Sequence, residues 1–361
     1  MTGTSIDALD VALVAIEGRG LEMRASLVRT HTRPLGPLAA PLRRFASQEP
    51  LSAGDIAGLA HELAAAHVAA IRDLLGGEPA DLVAAHGQTV FHAPPLSWQL
   101  LNPASLAHAL RAPVVFDLRA ADLAAGGQGA PITPLADYVL FRDGTETRAI
   151  VNFGGYCNFT FLPRGRDGAP GAIRGGDICA CNQLLDCLAR ALLGEPFDAD
   201  GRRASAGHIC PGPRDALVGL LQRQANVGRS LGTGDELAGW IERFRSECRA
   251  EDLARSACDA LASVIVATIE HVASAIPATR VDTYVLAGGG VKNRALYEAV
   301  ASRCAGHVRP TDSLGVPAPY REAACIAVLG GLCQDRVPIT LPAITGVPQP
   351  APLAGAWVFP G

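Results

Sequence analysis

Residues 148–162, RAIVNFGGYCNFTFL, are the most informative segment of the sequence for the fold. An apolar run enters the pair Gly154-Gly155 and a run rich in aromatic residues leaves it, which predicts a β-hairpin with a tight turn. A weaker copy lies at the start of the chain, where Gly3-Thr4-Ser5 precedes the apolar run Val11 to Ile16. The amides of such turns can bind anions without any lysine. The two turns predict two lobes that hold the phosphates of one nucleotide; two ordinary hairpins are the alternative.

Strand-like and helix-like segments alternate along the rest of the sequence, which is typical of the α/β class. Helical spacing of apolar residues predicts helices over Asp55 to Leu75, Asn182 to Leu193, Asp252 to Ile276, Asn293 to Cys304 and Arg321 to Cys333. Short apolar runs predict strands over Leu82 to Ala85, Pro113 to Phe116, Arg148 to Phe153 and Thr283 to Leu286. The stretch Ala124 to Pro134, rich in small residues, is the best candidate for a hinge.

Composition excludes several classes of protein. The chain has 361 residues, of which 49% are hydrophobic and 18% charged, and this is too apolar for a disordered chain. A net charge of −4 gives no global positive field that would attract nucleic acid or anionic lipid. The apolar runs are too short to suggest a membrane span, and no secretory signal is recognisable. We therefore expect a cytoplasmic protein whose ten cysteines are buried thiols rather than metal ligands or disulfides.

Lys292 is the only lysine of the chain, and it lies in Val291-Lys292-Asn293. A Walker-A loop needs Gly-Lys-Ser/Thr, so that phosphate-binding loop is excluded. If the protein handles a nucleotide, backbone amides and a divalent ion must hold the phosphates.

Two segments of the N-terminal half carry polar groups beside turns. Gly3 to Asp10 combines hydroxyls and carboxylates with a glycine turn, which fits either a phosphate loop with a Mg²⁺ carboxylate or an Asx turn. Arg119 follows a predicted strand, where open α/β sheets bind ligands; a salt bridge between lobes is the alternative. His86 ends another predicted strand and, on sequence alone, fits a structural histidine.

Three further segments are candidates in the C-terminal half. Asp177 follows Gly175-Gly176 and fits either a general base at a turn or a helix cap. The triple glycine Gly288 to Gly290 lies between a strand and a helix and can bring backbone close to a nucleoside, although it does not match G-x-G-x-x-G. Glu322 opens a helix and can bind sugar hydroxyls or stabilise the helix dipole.

Taken together and in this order, these segments resemble the anhydro-N-acetylmuramic acid kinase family, within the actin/hexokinase/Hsp70-like ATPases. The motifs that carry the resemblance are GTSID with Asp10, HGQT from His86, QLLNP from Gln99, DLRAAD from Asp117, AAGGQGAP from Ala124, NFGG from Asn152 with Asn158, DADG from Asp198, AGGG from Ala287 with Asn293, and REA from Arg321.

The resemblance implies a two-lobed actin-like ATPase fold, ribonuclease H-like, with duplicated α/β cores around a central cleft. We expect an N-terminal lobe of residues 1–123, joined by the tail 336–361, and a C-terminal lobe of residues 124–335. The family also carries a strand before the Gly3 turn. A homodimer is implied as well.

The resemblance also implies ATP- and Mg²⁺-dependent chemistry on 1,6-anhydro-N-acetylmuramic acid, a fragment of recycled peptidoglycan. Asp177 matches the base that activates water, and Asp7 would hold Mg²⁺. The positions that match sugar contacts are His86, Gln88, Arg119, Asp177 and Glu322. The positions that match ATP contacts are Gly3, Thr4, Ser5, Ile6, Asp7, Ala8, Leu9, Asp10, Asn152, Gly154, Gly155, Asn158, Gly288, Gly289, Gly290 and Asn293.

The loop after Asp177 departs from the family pattern. The family usually has Thr-Gly-Pro-Gly-Asn, whereas here the sequence is Ile178-Cys179-Ala180-Cys181-Asn182. Cysteine side chains in place of glycines are expected to intrude where backbone approaches phosphate. Two alternatives therefore stay open: a kinase for another 1,6-anhydrosugar such as levoglucosan, and a non-catalytic sugar- or nucleotide-binding protein.

Overall fold

The computed structural model describes residues 1–3, 5–165, 172–225, 235–276 and 279–361. Its strands are β1 Ala8–Glu17, β2 Arg24–Pro34, β3 Val83–Ala84, β4 Gln88–Ala93, β5 Leu96–Leu100, β6 Val114–Phe116, β7 Arg148–Phe153, β8 Tyr156–Leu162, β9 Arg174–Ala180, β10 Thr283–Ala287, β11 His307–Pro310 and β12 Ala356–Val358. The helices are α1 Ala39–Ala46, α2 Ala53–Leu75, α3 Pro103–Leu110, α4 Ala120–Ala124, α5 Pro134–Phe141, α6 Asn182–Leu188, α7 Arg202–Ser205, α8 Pro211–Ala225, α9 Asp235–Phe244, α10 Ala250–Ser274, α11 Arg294–Ala301, α12 Arg321–Gln334 and α13 Pro342–Thr345. The predicted α/β class is confirmed, and the predicted elements are present with ends that differ by a few residues.

The chain forms two compact units. Unit 1 comprises Met1–Phe141 and Tyr320–Gly361, and unit 2 comprises Arg142–Pro319. These boundaries differ from the expected lobes 1–123 and 124–335, because α5 and α12 both belong to unit 1. The physical reason is a buried ion pair between Asp137 of α5 and Arg321 of α12, while α12 also packs against β1.

Unit 2 is built on one continuous mixed sheet in the order β11-β10-β7-β8-β9. The central strand β7 pairs in parallel with β10 and antiparallel with β8, so the hairpin predicted from residues 148–162 is confirmed. All six side chains of β7 are buried. A strand that is buried on both faces must have other elements packed against both faces of its sheet. Helix α10 is one of the elements that pack against this sheet.

Helix α10 is long and apolar enough to cross a membrane by length and composition, with 67% of its most apolar window buried. It carries much of the hydrophobic core of unit 2, including Leu261 and Ile265 at 0% exposure. The core helix of a large domain has this composition for the same reason that a membrane span does, because apolar neighbours surround it.

The sheet of unit 1 is divided. Strands β12, β6 and β3 form one sheet, β1 and β2 form a second, and β4 and β5 form a separate hairpin. A cavity of about 390 Å³ lies between β1 and β3 and is also lined by residues of α2 and α12. In unit 2 the corresponding position, between the antiparallel hairpin strand and the parallel strand, is filled by β7. No strand among the described residues occupies that position in unit 1.

The turn at the start of the chain is nevertheless of the hairpin type. Thr2 forms an antiparallel bridge with Leu9, and the Asp10 amide donates to the Met1 carbonyl oxygen at 2.9 Å. The echo between the two turns is therefore real, although in unit 1 the pairing before the turn extends over a single bridge.

The expectation that all ten cysteines are thiols is wrong for one pair. Cys210 and Cys248 form a disulfide between the segments that precede α8 and α10. The other eight cysteines are free, and five of them are fully buried (Cys157, Cys179, Cys181, Cys258 and Cys325).

Candidate functional site

The turn Gly3–Asp10 of unit 1 carries its polar groups on its exposed side. The Ser5 hydroxyl donates to the Asp7 carboxylate at 2.7 Å, and the Thr32 hydroxyl of β2 donates to Asp10 at 2.6 Å. Thr4 lies outside the described residues. A Cβ atom at Gly3 would meet nothing within 4 Å, so backbone is accessible there.

Ile6 holds this turn in an unusual conformation. Its φ angle is +49°, a left-handed value that a β-branched residue rarely adopts, and its side chain is 4% exposed within the core of unit 1. Burial of the side chain compensates a backbone cost of about 1–3 kcal/mol. Strain of this kind is concentrated at ligand-binding turns, which agrees with the expected phosphate loop.

Asp7 and Asp10 place two carboxylates close enough to interact. Burial raises the pKa of Asp10, the Thr32 hydroxyl opposes that shift, and the charge of Asp7 adds to it. Two like charges that disfavour one another's ionisation favour a cation. No group of three His, Cys, Asp or Glu side chains within the described ranges can hold a metal by itself. One or two carboxylates with phosphate oxygens and water are, however, what Mg²⁺ usually takes.

His86 and Arg119 form one hydrogen-bonded unit, although 33 residues separate them in sequence. The Arg119 Nε donates to His86 Nε2 at 3.1 Å, and Arg119 also donates to the Gly129 carbonyl oxygen at 2.6 Å. Because a guanidinium can only donate, His86 must carry its proton on Nδ1, which then donates to the Gly87 carbonyl oxygen at 2.8 Å. Burial, reinforced by Arg119, lowers the pKa of His86 to about 3. His86 is thus a neutral acceptor that orients Arg119.

Asp122 fixes the loop that receives Arg119, a role that the sequence predictions missed. Its fully buried carboxylate accepts hydrogen bonds from the Gly129 amide at 2.7 Å and from the Thr345 hydroxyl at 2.8 Å. A Cβ atom at Gly127 would lie 2.2 Å from this carboxylate, so only glycine fits there. The glycine pattern of residues 126–129 was the one available signal, since it marks a close approach of backbone to another group.

Gln88 and Glu322, the other two sugar candidates of unit 1, lie in β4 and α12. Gln88 is 3% exposed, and its Nε2 donates to the Thr89 carbonyl oxygen at 3.0 Å. Glu322 is half-buried in the first turn of α12, next to Arg321. Arg321 donates from Nε to Asp137 at 2.8 Å and also pairs with it through Nη2. Burial alone would lower the pKa of Arg321, but Asp137 outweighs it and the net shift is upward. This pair fixes the start of α12 and thereby the position of Glu322.

The hairpin turn of unit 2 is tied to helix α6 and to the triple glycine. The amides of Cys181 and Asn182 donate to the carbonyl oxygens of Gly155 and Gly154 at 2.8 and 3.0 Å. The Asn182 side chain donates to the Phe153 carbonyl oxygen at 2.9 Å. The first residues of α6 therefore fix the turn through these hydrogen bonds.

The three glycines of residues 288–290 have different environments. Added Cβ atoms at Gly288 and Gly290 would lie 2.7 Å from Asn152 Oδ1 and 2.6 Å from Asn182 Oδ1, respectively. A Cβ atom at Gly289 would meet nothing within 4 Å. Two of the glycines thus let the turn pack against Asn152 and its neighbours, and Gly289 is the one that leaves backbone open to a ligand.

The side chain of Asn293 caps the N-terminus of helix α11. Its side-chain oxygen accepts the Leu296 amide at 3.0 Å, which caps α11, and Gly201 packs against the same oxygen. Its assignment to ATP stays a prediction, while its local role is that of an N-cap.

Asp177 lies within strand β9 rather than at a turn. It stands opposite Asn158 of β8, beside an irregularity of register between Cys157 and Asn158. Its side chain is half-buried, and its charge acts on Tyr156, whose pKa is raised mainly by burial and further by Asp177. The structure therefore brings Asp177 and Asn158 together, as partners across two strands.

The cysteines after Asp177 do not intrude on this surface. Cys179 and Cys181 are both 0% exposed and pack in the hydrophobic core of unit 2 with Cys157 and Cys258. Burial raises the pKa of Cys179 to about 12, so its thiol stays protonated. The expectation that these thiols project toward the ligand is wrong, because the end of β9 and the residue before α6 are both buried in the core of unit 2.

The candidate residues divide between the units. Unit 1 contains Gly3 to Asp10, His86, Gln88, Arg119 and Glu322; unit 2 contains Asn152, Gly154, Gly155, Asn158, Asp177, Gly288 to Gly290 and Asn293. Within unit 1 the structure joins His86 to Arg119, and within unit 2 it joins Asn152 to Gly288 and Asn158 to Asp177.

Comparison with known proteins agrees with these motifs. The family description "Anhydro-N-acetylmuramic acid kinase" matches residues 1–360. A protein of that name from Salinibacter ruber is 35% identical over all of this chain and 95% of its own length. Another, from Bordetella parapertussis, is 35% identical over 96% of this chain and 91% of its own length.

Among solved structures, a ROK family glucokinase from Streptomyces griseus in complex with glucose and AMPPNP has a TM-score of 0.38 and 15% identity, over 88% of this chain and 99% of its own. The match over nearly every residue, together with relatives at this identity, shows that the chain belongs to the anhydro-N-acetylmuramic acid kinase family.

Proposed function

We propose that this chain is an ATP-dependent kinase of 1,6-anhydro-N-acetylmuramic acid, which yields N-acetylmuramic acid 6-phosphate and ADP in peptidoglycan recycling. The observation that carries the proposal is the family match over residues 1–360. The half-buried carboxylate of Asp177 and the polar cluster around Arg119 supply the groups that the reaction needs.

In the proposed reaction, Asp177 accepts a proton from a water molecule as that water attacks the anomeric carbon. A new bond forms between the water oxygen and C1, and the bond from C1 to the bridging oxygen breaks. The released 6-oxygen takes the γ-phosphoryl group of ATP, and ADP leaves. The proton passes from Asp177 to solvent. A general base of this kind typically contributes about 10²–10⁴-fold to the rate.

The phosphates of ATP would be bound by main-chain amides and by a divalent ion. The strained Gly3–Asp10 turn and the open backbone at Gly289 support this role in a chain whose only lysine is Lys292. Asp7 and Asp10 suit Mg²⁺, since the charge of Asp7 adds to the upward shift of the pKa of Asp10 and a bound cation would relieve it. When bound, Mg²⁺ would neutralise charge on the phosphates.

The sugar would be bound by unit 1 through His86, Gln88, Arg119 and Glu322. Arg119, oriented by neutral His86, offers a planar fork of donors that suits a carboxylate such as the lactyl group. Glu322 offers an acceptor to sugar hydroxyls.

The Asp177→Asn variant tests the proposal. Its turnover of ATP with 1,6-anhydro-N-acetylmuramic acid should fall by about 10²–10⁴-fold, with little change in the KM for ATP. ADP release and the mass of the sugar phosphate are the measurements. Asp215→Asn, which changes an exposed carboxylate of α8, is the matched control. Turnover that survives in Asp177→Asn would remove Asp177 from the role of base.

The same assay separates the alternatives. Turnover of levoglucosan at least as fast as that of the muramic substrate would assign another anhydrosugar. Tight sugar binding without ADP release would assign a binding protein. Cytoplasmic location and a homodimer belong to the proposal as well, and light scattering of the purified chain checks the second.

A further inference from the structure

Unit 2 contains an open pocket beside the triple glycine. The pocket has a volume of about 540 Å³ and is lined by Asp200, Arg202, Ser205, Lys292 and Arg294. It joins two motifs that are distant in sequence, because Asp200 belongs to DADG and Lys292 follows AGGG. None of the five residues has a role in the proposed function.

The two segments that form the pocket are held together by a close approach of backbone. Gly201 has a left-handed φ of +65°, and a Cβ atom there would lie 2.2 Å from Asn293 Oδ1 and 3.1 Å from the Arg294 amide nitrogen. On the other side of this contact, Asp198 accepts hydrogen bonds from the amides of Arg203 and Ala204, both at 2.9 Å. The fold of unit 2 therefore fixes the backbone on both sides of the pocket.

Gly289 and Lys292 lie on the same face of a short helix. They are the first and last residues of a 3₁₀ helix, in which positions three apart are aligned. A Cβ atom at Gly289 would meet nothing within 4 Å, whereas Gly288 packs against Asn152 and Phe153 of the hairpin that ends in the Gly154-Gly155 turn. Lys292 follows about 6 Å further along the open face of Gly289. A ligand that extends from the hairpin turn across Gly289 reaches Lys292 next.

Two of the three cations in the pocket have no carboxylate partner within the described part of the chain. Arg294 donates from Nε to Glu298 at 2.7 Å, which compensates its charge within α11. Arg202 donates from Nε to the Ala199 carbonyl oxygen at 3.3 Å, which holds its side chain against the turn that precedes α7. With Asp200 as the one carboxylate of the lining, the pocket keeps an excess of positive charge. Such a pocket attracts an anion or an electron-rich ring.

The position of the pocket favours a ring over a phosphate. If the phosphates of ATP lie at the Gly154-Gly155 turn and at Gly289, the part of the nucleotide that lies one helical turn further is the nucleoside. Guanidinium planes stack on nucleobases, and an ammonium group is attracted to the face of an aromatic ring. Arg202 and Lys292 supply one group of each kind.

We propose that Lys292 and Arg202 bind the adenine base of the nucleotide by cation–π and stacking contacts with the faces of its ring. The inference rests on the proposed function, because it takes Gly289 to lie beneath the phosphates. It gives the only lysine of the chain a role opposite to that of a Walker-A lysine, since Lys292 would bind the base and leave the phosphates to main-chain amides and the divalent ion.

The first test compares the binding of ATP and of inorganic tripolyphosphate, which has no base, by calorimetry. Lys292→Met keeps a long side chain without the charge, so its Kd for ATP should rise about 3- to 30-fold. Its Kd for tripolyphosphate should change little at 0.15 M salt, where exposed charges more than about 8 Å apart are largely screened. Lys292→Arg should bind ATP nearly as well as the wild type. Equal weakening of both ligands, or unchanged binding of ATP, overturns the inference.

Arg202 has a matched control at the next position. Arg202→Met should also raise the Kd for ATP about 3- to 30-fold. Arg203→Met should leave that Kd unchanged, because Arg203 pairs with Glu251 and does not line the pocket. An equal effect of the two variants would show that general charge, and not contact with the base, is responsible.

The single lysine permits a second test that does not depend on tripolyphosphate. Lysine labelled with ¹³C at the ε-carbon gives one side-chain NMR signal, that of Lys292. Saturation with ATP should move the attached protons upfield through the ring current of adenine, and an unmoved signal contradicts the inference. If ATP binds with this shift but no sugar is phosphorylated, the inference stands and the kinase proposal fails. If the wild type does not bind ATP, both fail.

Discussion

Both units contain a hairpin-type glycine turn, but the sheets around the two turns differ. In unit 2 the strand before the glycine turn, β7, is paired on both edges and lies at the centre of five strands. In unit 1 the residues before the equivalent turn form one bridge, and a cavity separates β1 from β3. A hairpin-type turn can therefore persist without a continuous sheet around it, because local hydrogen bonds and the burial of Ile6 hold the turn.

The units also differ in the titratable groups that they bury. Unit 1 encloses His67 and His86, whose pKa values burial lowers to about 3. Unit 2 encloses four thiols, of Cys157, Cys179, Cys181 and Cys258, whose pKa values burial raises. Neutral histidine becomes charged in acid and a thiol becomes charged in alkali. Unit 1 also buries the thiols of Cys325 and Cys333, whose pKa values burial raises. Acid should therefore destabilise unit 1, whereas alkali should destabilise both units and unit 2 more strongly.

The largest expected effect is the loss of stability of unit 2 in alkali. An unfolded thiol ionises near pH 8.5, whereas the folded thiols of Cys179 and Cys258 ionise near 12, so stability falls as pH rises through this window. Each such group contributes about 1.4 kcal/mol per pH unit. Denaturant melts followed by Trp240, the tryptophan of unit 2, should move to lower midpoints above pH 9. Cys179→Ala should reduce the slope, and an unchanged slope would contradict the assignment.

The second largest expected effect is a loss of stability of unit 1 in acid. Unfolded histidine binds a proton near pH 6.5 and folded His67 and His86 only near 3, so stability falls as pH falls below 6.5. Two groups at about 1.4 kcal/mol per pH unit each amount to several kcal/mol by pH 4. Melts followed by Trp357 of β12 should shift in this range before those followed by Trp240. His67→Leu should flatten the profile, whereas exposed His208→Asn should leave it unchanged.

The smallest effect concerns the cavity itself. Ala327 of α12 lines it, whereas Ala260 of α10 lies at 0% exposure in the packed core of unit 2. Ala260→Leu should destabilise unit 2 by about 1–3 kcal/mol through overpacking. Ala327→Leu should be neutral or stabilise unit 1 slightly, because the added methyl groups enter existing space. Equal losses in the two variants would show that the cavity closes in solution.

Patterns of neighbouring residues were enough to predict many of the helices and strands. The residues 148–162 predicted their hairpin correctly, because alternating apolar residues around two glycines leave few other conformations. The local structure around Asp177 was predicted wrongly. Gly175 and Gly176 suggest a turn, but pairing with β8 keeps them in a strand. The hairpin of β4 and β5 was not predicted either, since Pro94-Pro95 masks the alternation on both sides.

The site residues show the same limit. The motifs identify His86 and Arg119 as candidates, but not that one orients the other across 33 residues. The roles of Asp122 and Asp137 were equally out of reach, because each depends on partners in the C-terminal segment, Thr345 and Arg321.

The α/β class, the two glycine turns, the absence of a lysine-based phosphate loop and membership of the family could all be derived from the order of the amino acids. Those properties depend on the order and type of neighbouring residues. Three properties follow only from the folded structure: the cysteines after Asp177 face the core, α5 and α12 complete unit 1, and Cys210 pairs with Cys248. Burial and long-range pairing arise when distant segments meet, and local preference does not specify which segments those are.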